Sequence, residues 1–379
     1  MAGWRAISAI ALAAVAAAAC SLQEPLPQPR PAGEDALTVR LEASSWPLGH
    51  LESPAFDLAP VYADGRLYLA DARGHVRALS AEDREPIWQR RLARPLSAGP
   101  AVAGERLIVA DREGRVYALD RASGERRWQA SVSSEVLAQP RYTRGVVVVR
   151  SADGRVFGLD AETGERQWLF DRTIPALTLR RNSAPAVAGS SVVVGLQSGR
   201  LVALDARDGS VRWEYTVTEP SGRTELERMA DIAADPVIDR GAAYAVTYQG
   251  AIAAVRMATG RELWRRAVSS HRGLASHGAE VYLAADDGRV WAFDRRNGAT
   301  AWRQDRLEGL TLTEPVVAGD YLVLGDEAGY VNWLRLRDGK LVARTQVSSA
   351  PVQHPPLATP EGVVYVLDIR GRLTALRPR

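Results

Sequence analysis

One phrase recurs along this chain, and it constrains the fold more than any single motif. A clear copy is Gly114-Arg115-Val116-Tyr117-Ala118-Leu119-Asp120, then Arg121-Ala122-Ser123-Gly124-Glu125-Arg126-Arg127-Trp128. The next is Gly154-Arg155-Val156-Phe157-Gly158-Leu159-Asp160, then Ala161-Glu162-Thr163-Gly164-Glu165-Arg166-Gln167-Trp168. The central apolar position supplies eight copies: Leu79, Leu119, Leu159, Leu204, Val255, Phe293, Leu334 and Leu376, spaced 40, 40, 45, 51, 38, 41 and 42 residues apart. The preceding glycine recurs in step as Gly74, Gly114, Gly154, Gly199, Gly250, Gly288, Gly329 and Gly371. The Trp register runs Trp88, Trp128, Trp168, Trp213, Trp264, Trp302. A unit of about 40 residues cannot bury its apolar face alone and must stack on its neighbours.

Each copy reads as four short strands. The first starts at a Pro (Pro60, Pro100, Pro140, Pro185, Pro236, Pro315, Pro356), where no ladder donor is lost. The second is a β-branched run such as Val146-Val147-Val148-Val149, which suits burial on both faces. Asp-x-x-x-Gly turns the third strand into the fourth, as in Asp120 to Gly124, with Gly supplying positive φ. The Trp of the fourth strand is expected to pack between units. The pattern predicts an all-β fold, an eight-bladed β-propeller of four-stranded antiparallel blades over residues 37–379. The last copy spells only three strands. Leu37-Thr38-Val39-Arg40-Leu41 alternates apolar and polar and is expected to supply the missing outer strand, closing the ring.

The segment before that strand reads as an address. Residues 1–19 form a short secretory signal: Arg5, then the apolar run Ile7–Ala19. Cys20, the one cysteine of the chain, follows Ala17-Ala18-Ala19 and resembles the acylated cysteine of a bacterial lipobox. Ser21, rather than Asp, follows it, which resembles an outer-membrane sorting signal. Residues 20–36 carry Pro25, Pro27, Pro29 and Pro31 and read as a semi-extended tether. The chain is thus expected at the periplasmic face of the outer membrane, held by lipid.

Signals of catalysis are missing. The five histidines (His50, His75, His271, His277 and His354) show no metal-ligand pairing and read as solvated loop residues. No nucleophile elbow, phosphate loop or calcium ladder occurs. The net charge of +3 is small and the arginines are dispersed, unlike a nucleic-acid footprint. Over about residues 55–379 the repeat resembles that of the pyrroloquinoline quinone propellers. Those dehydrogenases hold the quinone on an axial calcium, usually beside a disulfide of adjacent cysteines, and this chain has one cysteine. No cofactor, no metal and no enzymatic activity are expected. A quinone-dependent dehydrogenase and a cell-wall or glycan-binding propeller are the alternatives.

Function on a repeat scaffold is best sought where copies differ. The two long intervals both add residues between the fourth strand of one blade and the first of the next. Connectors at that point emerge on one face, and these belong to consecutive blades, so they should form one patch. The first extends from Asp171 to Ser183 and holds Ile174, Leu177 and Leu179 without an obvious core role. The second, Thr218–Asp235, is expected to carry a short helix, Glu225–Ala230, capped by Ser221 or Thr224. Apolar side chains beside arginine suit a protein-binding hot spot.

Three segments carry a sharper resemblance: Pro175-Ala176-Leu177-Thr178-Leu179-Arg180, Ser221–Ile232, and Gly325-Asp326-Glu327-Ala328-Gly329-Tyr330-Val331-Asn332-Trp333. They resemble the BamB family, lipoprotein subunits of the outer-membrane β-barrel assembly machinery. The resemblance implies a non-enzymatic propeller that binds the periplasmic domains of BamA within that complex. The implied partner-binding residues are Leu177, Leu179, Arg180 and Asp231. The family's acidic loop has a second Asp where this chain has Ala233, with Asp235 two residues on. Nascent barrels are a further implied partner. An outer blade strand could receive a strand by β-augmentation, although its arginines blunt that edge.

Overall fold

The computed structural model describes residues 41–47, 57–172, 177–179, 182–224 and 226–378. These residues form eight four-stranded antiparallel sheets, with no helix among them. Blades 1 to 7 span 61–91, 96–131, 141–170, 186–216, 237–267, 274–304 and 316–346, each pairing its strands in chain order. First strands of successive blades touch from blade 1 to blade 8, so they surround the axis and the fourth strands lie outermost. The expected prolines stand directly before these first strands, except Pro100, which lies inside Leu96–Ala103.

Blade 8 joins the two ends of the chain. Leu357–Ala358, Val364–Leu367 and Arg372–Pro378 supply three strands, and Leu41–Pro47 supplies the outer one. Leu41 stands opposite Pro378 and Pro47 opposite Arg372. The ring therefore closes as expected, but with a later segment than Leu37–Leu41. Only Leu41 is shared, and residues 37–40 lie outside the described ones. The cause is that an outer strand needs little apolar pattern. Ala43, Ser44 and Ser45 are exposed, and the Ser45 hydroxyl meets that of Thr374 at 2.8 Å.

The core is divided among the seams between blades. Each of the eight apolar clusters draws on two neighbouring blades. Val147 and Val149 of blade 3 pack with Ile108 and Ala110 of blade 2. Leu67 and Leu69 of blade 1 pack with Tyr365 and Leu367 of blade 8. The second strand Val146–Arg150 is buried at every residue and the others are buried at least from their second residue on, which is why they read as largely apolar runs.

The Trp register stitches these seams. The Trp128 indole donates to the carbonyl of Ala161 in the next blade at 2.9 Å, and Trp168 to that of Ala206 at 2.8 Å. Trp88, Trp213, Trp264 and Trp302 donate likewise to Arg121, Met257, Arg295 and Leu336. All six rings are less than 9 % exposed. Each accepting carbonyl lies in the third-to-fourth-strand turn of the following blade, which opens on Asp in four cases and on Arg256 or Arg335 in the other two, and the glycine of that turn lies under the ring. A Cβ on Gly164 (φ +77°) would come within 2.6 Å of Trp128. The turn glycine thus serves both backbone and packing. At the closing seam Tyr365 takes the Trp's place, its hydroxyl donating to the Ala81 carbonyl at 2.8 Å.

Candidate partner-binding site

The two long connectors, residues 171–185 and 217–236, meet over blade 4. The contact is direct: the backbone N–H of Leu179 donates to Oδ2 of Asp231 at 2.5 Å. The inner halves of both connectors are buried. Ser183 and Ala184 are shielded in the first; Met229, Ala230, Asp231, Ile232, Ala233 and Ala234 are shielded in the second. Ile232 closes the join at Gly195, where a Cβ would meet its Cγ2 at 2.2 Å.

A polar network holds this base. Arg150, at the end of an otherwise aliphatic strand, is 1 % exposed. It donates to the Ser183 carbonyl at 3.0 Å, the Ser183 hydroxyl at 2.8 Å and Oε1 of Gln197 at 2.9 Å. Gln197 donates to Asn182 at 2.8 Å. Burial lowers Arg150 to about 10, against the charges of Asp235 and Asp231, which act to raise it. Burial also raises Asp231 to about 6, opposed by the Leu179 N–H and by Arg150. Asp235 spans three blades: Oδ2 pairs with Arg141 at 3.0 Å and Oδ1 accepts the Ala184 N–H at 2.7 Å.

Each connector exposes a leucine among its described residues. Leu177 is 43 % exposed, Leu179 half-buried, and Leu226 is 60 % exposed, the highest among the described large apolar residues. Of the expected helix Glu225–Ala230, the described residues form a turn at 226–228 and no helix. Glu227 accepts the Arg223 and Thr224 N–H groups and donates its own N–H to the Thr224 hydroxyl, which is a capping box. Met229 to Ala234 follow as buried residues with no helical turn among them.

Of the four residues expected to bind a partner, Leu177 is presented to solvent, Leu179 is partly presented, and Arg180 lies outside the described residues with Ile174. Asp231 departs from expectation: it is 2 % exposed and its carboxylate faces inward. Its sequence neighbours Ala230, Ile232, Ala233 and Ala234 explain why, being apolar residues that draw the segment inside. Ala233 is itself buried, and Asp235 is committed to Arg141 and Ala184, so neither forms an exposed second acid. Sequence reasoning missed Arg150. Its signal was available: the equivalent positions elsewhere are Ala70, Ala110, Gly195, Val246, Ala284, Gly325 and Leu367.

No group of three or more metal-capable side chains occurs among the described residues. Two of the histidines are not simply solvated. His75 Nδ1 lies 3.0 Å from Asp71 and His271 Nδ1 2.5 Å from Asp286. The six Trp of the repeat register are committed to the seams, which removes them as a glycan surface.

A regular ring with two irregular connectors, each exposing a leucine over a polar base, sets this face apart from the rest of the propeller. Comparison with known proteins gives the family. The family described as outer membrane protein assembly factor BamB matches residues 72–304. BamB of Alkalilimnicola ehrlichii is 54 % identical over 370 residues, 97 % of this chain and 96 % of that one. BamB of Pseudomonas aeruginosa is 43 % identical over 318 residues, 84 % of this chain and 83 % of that one. The crystal structure of BamB from Moraxella catarrhalis superposes with a TM-score of 0.81 at 26 % identity, covering 90 % of this chain and all of that one. A quinohemoprotein alcohol dehydrogenase from Comamonas testosteroni shares the fold alone, with a TM-score of 0.71 at 16 % identity over 89 % of this chain and 76 % of that one. The chain belongs to the BamB family, and that family consists of assembly factors rather than enzymes.

Proposed function

We propose that this protein is a lipid-anchored scaffold on the periplasmic face of the outer membrane. It binds the periplasmic domains of BamA and assists assembly and insertion of β-barrel proteins. Family membership supports the assembly role. The observation that carries the site is the placement of exposed Leu177 and Leu226 on two connectors joined by the Leu179–Asp231 bond. Leu177 and Leu179 act as apolar anchors, and Arg180 meets a carboxylate or carbonyl of BamA. Cys20, outside the described residues, carries the lipid, and residues 20–36 tether the ring to it. Mass spectrometry of the mature N-terminus tests that anchor; an unmodified terminus counts against it.

Truncating an interface anchor costs about 2 kcal/mol or more, and about 1.4 kcal/mol is a decade of affinity. Calorimetric titration with the BamA periplasmic domains should therefore show the Leu177→Ala/Leu179→Ala variant weakened tens-fold with its fold unchanged. Arg370→Ala lies on blade 8, half a ring from blade 4, and should bind as wild type. Undiminished binding by the folded double variant would remove the site.

A further inference from the structure

The Leu179–Asp231 bond assigns a role to the acid that its charge alone does not suggest. We propose that Asp231 is a positioning residue for the partner-binding loop: it holds Leu177 and Leu179 in place by accepting the Leu179 N–H, and it does not meet the partner as an anion. The inference rests on the reading that the leucine loop binds BamA.

Three observations support it. First, Asp231 is 2 % exposed, so no partner side chain reaches its carboxylate without displacing the loop above it. Second, the residue is fixed from both sides. Its carbonyl accepts the Tyr248 N–H of blade 5 at 3.0 Å, and the next residue, Ile232, donates its N–H to the Leu196 carbonyl of blade 4 at 3.2 Å. Asp231 is thus a rigid bracket built on two blades, and the Leu179 N–H is what hangs from it. Third, Leu179 lies in a connector outside every strand, so no ladder partner takes its N–H, and the Asp231 carboxylate supplies the acceptor. The carboxylate is the buried partner, and swinging Leu179 away would strip it of that donor, so the bond favours one conformation of the loop.

The electrostatics agree. Burial disfavours the charged carboxylate and brings Asp231 to about 6, with Arg150 and the Leu179 N–H opposing the rise. A residue whose task is charge is poorly served by such a site. A hydrogen-bond acceptor is served equally well by carboxylate, carboxylic acid or amide.

The test separates acceptor from charge. Asp231→Asn keeps an acceptor oxygen and removes the charge; Asp231→Ala removes both. Binding to the purified BamA periplasmic domains is measured by calorimetry, with thermal unfolding and amide exchange of Leu179 in the same samples. The expected result is that Asp231→Asn binds within about threefold of wild type and keeps Leu179 protected. Asp231→Ala should bind at least tenfold more weakly, with Leu179 exchanging freely in a folded ring. Equal loss of binding in the two variants, with Leu179 still protected in Asp231→Asn, would overturn the proposal in favour of a charge contact. Undiminished binding by Asp231→Ala would overturn it also. Failure of the underlying reading looks different: the Leu177→Ala/Leu179→Ala variant would then bind as wild type.

Discussion

Trp333 and Ala343 face each other across the third and fourth strands of blade 7, in the reverse of the arrangement elsewhere. In blades 1 to 6 the small residue is on the third strand and the Trp on the fourth: Ala78 opposite Trp88, Ala118 opposite Trp128, Gly158 opposite Trp168, Ala203 opposite Trp213, Ala254 opposite Trp264, Ala292 opposite Trp302. The reversal falls where the stitching mechanism has nothing to engage. A fourth-strand Trp needs the carbonyl and glycine of the next blade's third-to-fourth turn. Blade 8 has no such turn, because its fourth strand is Leu41–Pro47. The ring instead turns inward, and Trp333 is fully buried among Val323, Val331, Val352, Val364 and Val366.

That account makes the exchange irreversible. Trp333→Ala should destabilise the ring by about 3–5 kcal/mol, as large-to-small changes of this size do. Adding Ala343→Trp should recover none of it, since the moved ring finds neither glycine nor carbonyl. Chemical unfolding of wild type, single and double variants is the measurement, and recovery to wild-type stability would show that the slot in blade 8 exists after all.

Gly164 and Gly145 separate two demands made on turn glycines. Both have positive φ, +77° and +83°, but a Cβ on Gly145 meets nothing within 4 Å whereas one on Gly164 meets Trp128 at 2.6 Å. Gly145→Ala should cost about 1–2 kcal/mol, the strain of a left-handed backbone alone. Gly164→Ala should cost about 1–3 kcal/mol more, because the indole must shift. Equal losses on thermal unfolding would show that the seam yields freely.

The repeat made the ring legible because most blades restate the same physical needs: a turn glycine under the preceding blade's Trp, a polar residue opening that turn, aliphatic strands between seams. Where a residue answers a need that occurs once, the sequence is quieter. Leu41–Pro47 is an outer strand with exposed Ala43, Ser44 and Ser45, so alternation marked Leu37–Leu41, which shares only Leu41 with it. Leu177 was visible as an apolar residue in an irregular insertion. Asp231 was visible as an acid; the apolar run around it, Ala230 and Ile232 to Ala234, hinted at its burial, but its bond to the Leu179 N–H joins residues far apart in sequence and only the fold shows it. Arg150 broke an aliphatic pattern in plain view, but only the fold shows that it holds up the connector.

Closure of the ring by Leu41–Pro47 predicts a sharp boundary for truncation. Removing residues up to 36 should leave the melting temperature of the soluble ring unchanged. Removing residues up to 47 deletes the partner of Arg372–Pro378 and the Ser45–Thr374 bond, and it bares a new sheet edge. The melting temperature should fall by several degrees and aggregation on heating should increase. A fall of the same size in both truncations would place the stabilising strand before residue 36.

Asp231 should leave a signature in the dependence of stability on pH. Burial raises it from 3.8 to about 6. Between those values the native state keeps a proton that the unfolded chain has released. The native state therefore binds more protons, and stability falls as pH rises through this window. The contribution is fully present below pH 4 and is lost as pH climbs through 6. The groups facing the carboxyl are the Leu179 N–H and, through space, the Arg150 guanidinium, and both moderate the rise. Asp231→Asn has no proton to lose. The stability of wild type minus that of Asp231→Asn should thus decline between pH 4 and pH 7, by up to about 3 kcal/mol at roughly 1.4 kcal/mol per unit. Asp120 does not interfere: its Arg127 partner holds it at about 2, so it titrates below the window and cancels in the difference. Urea unfolding of both proteins at half-unit steps measures the curve. A difference that is flat, or that grows with pH, would show the carboxyl to be ionised throughout and stabilised by charge.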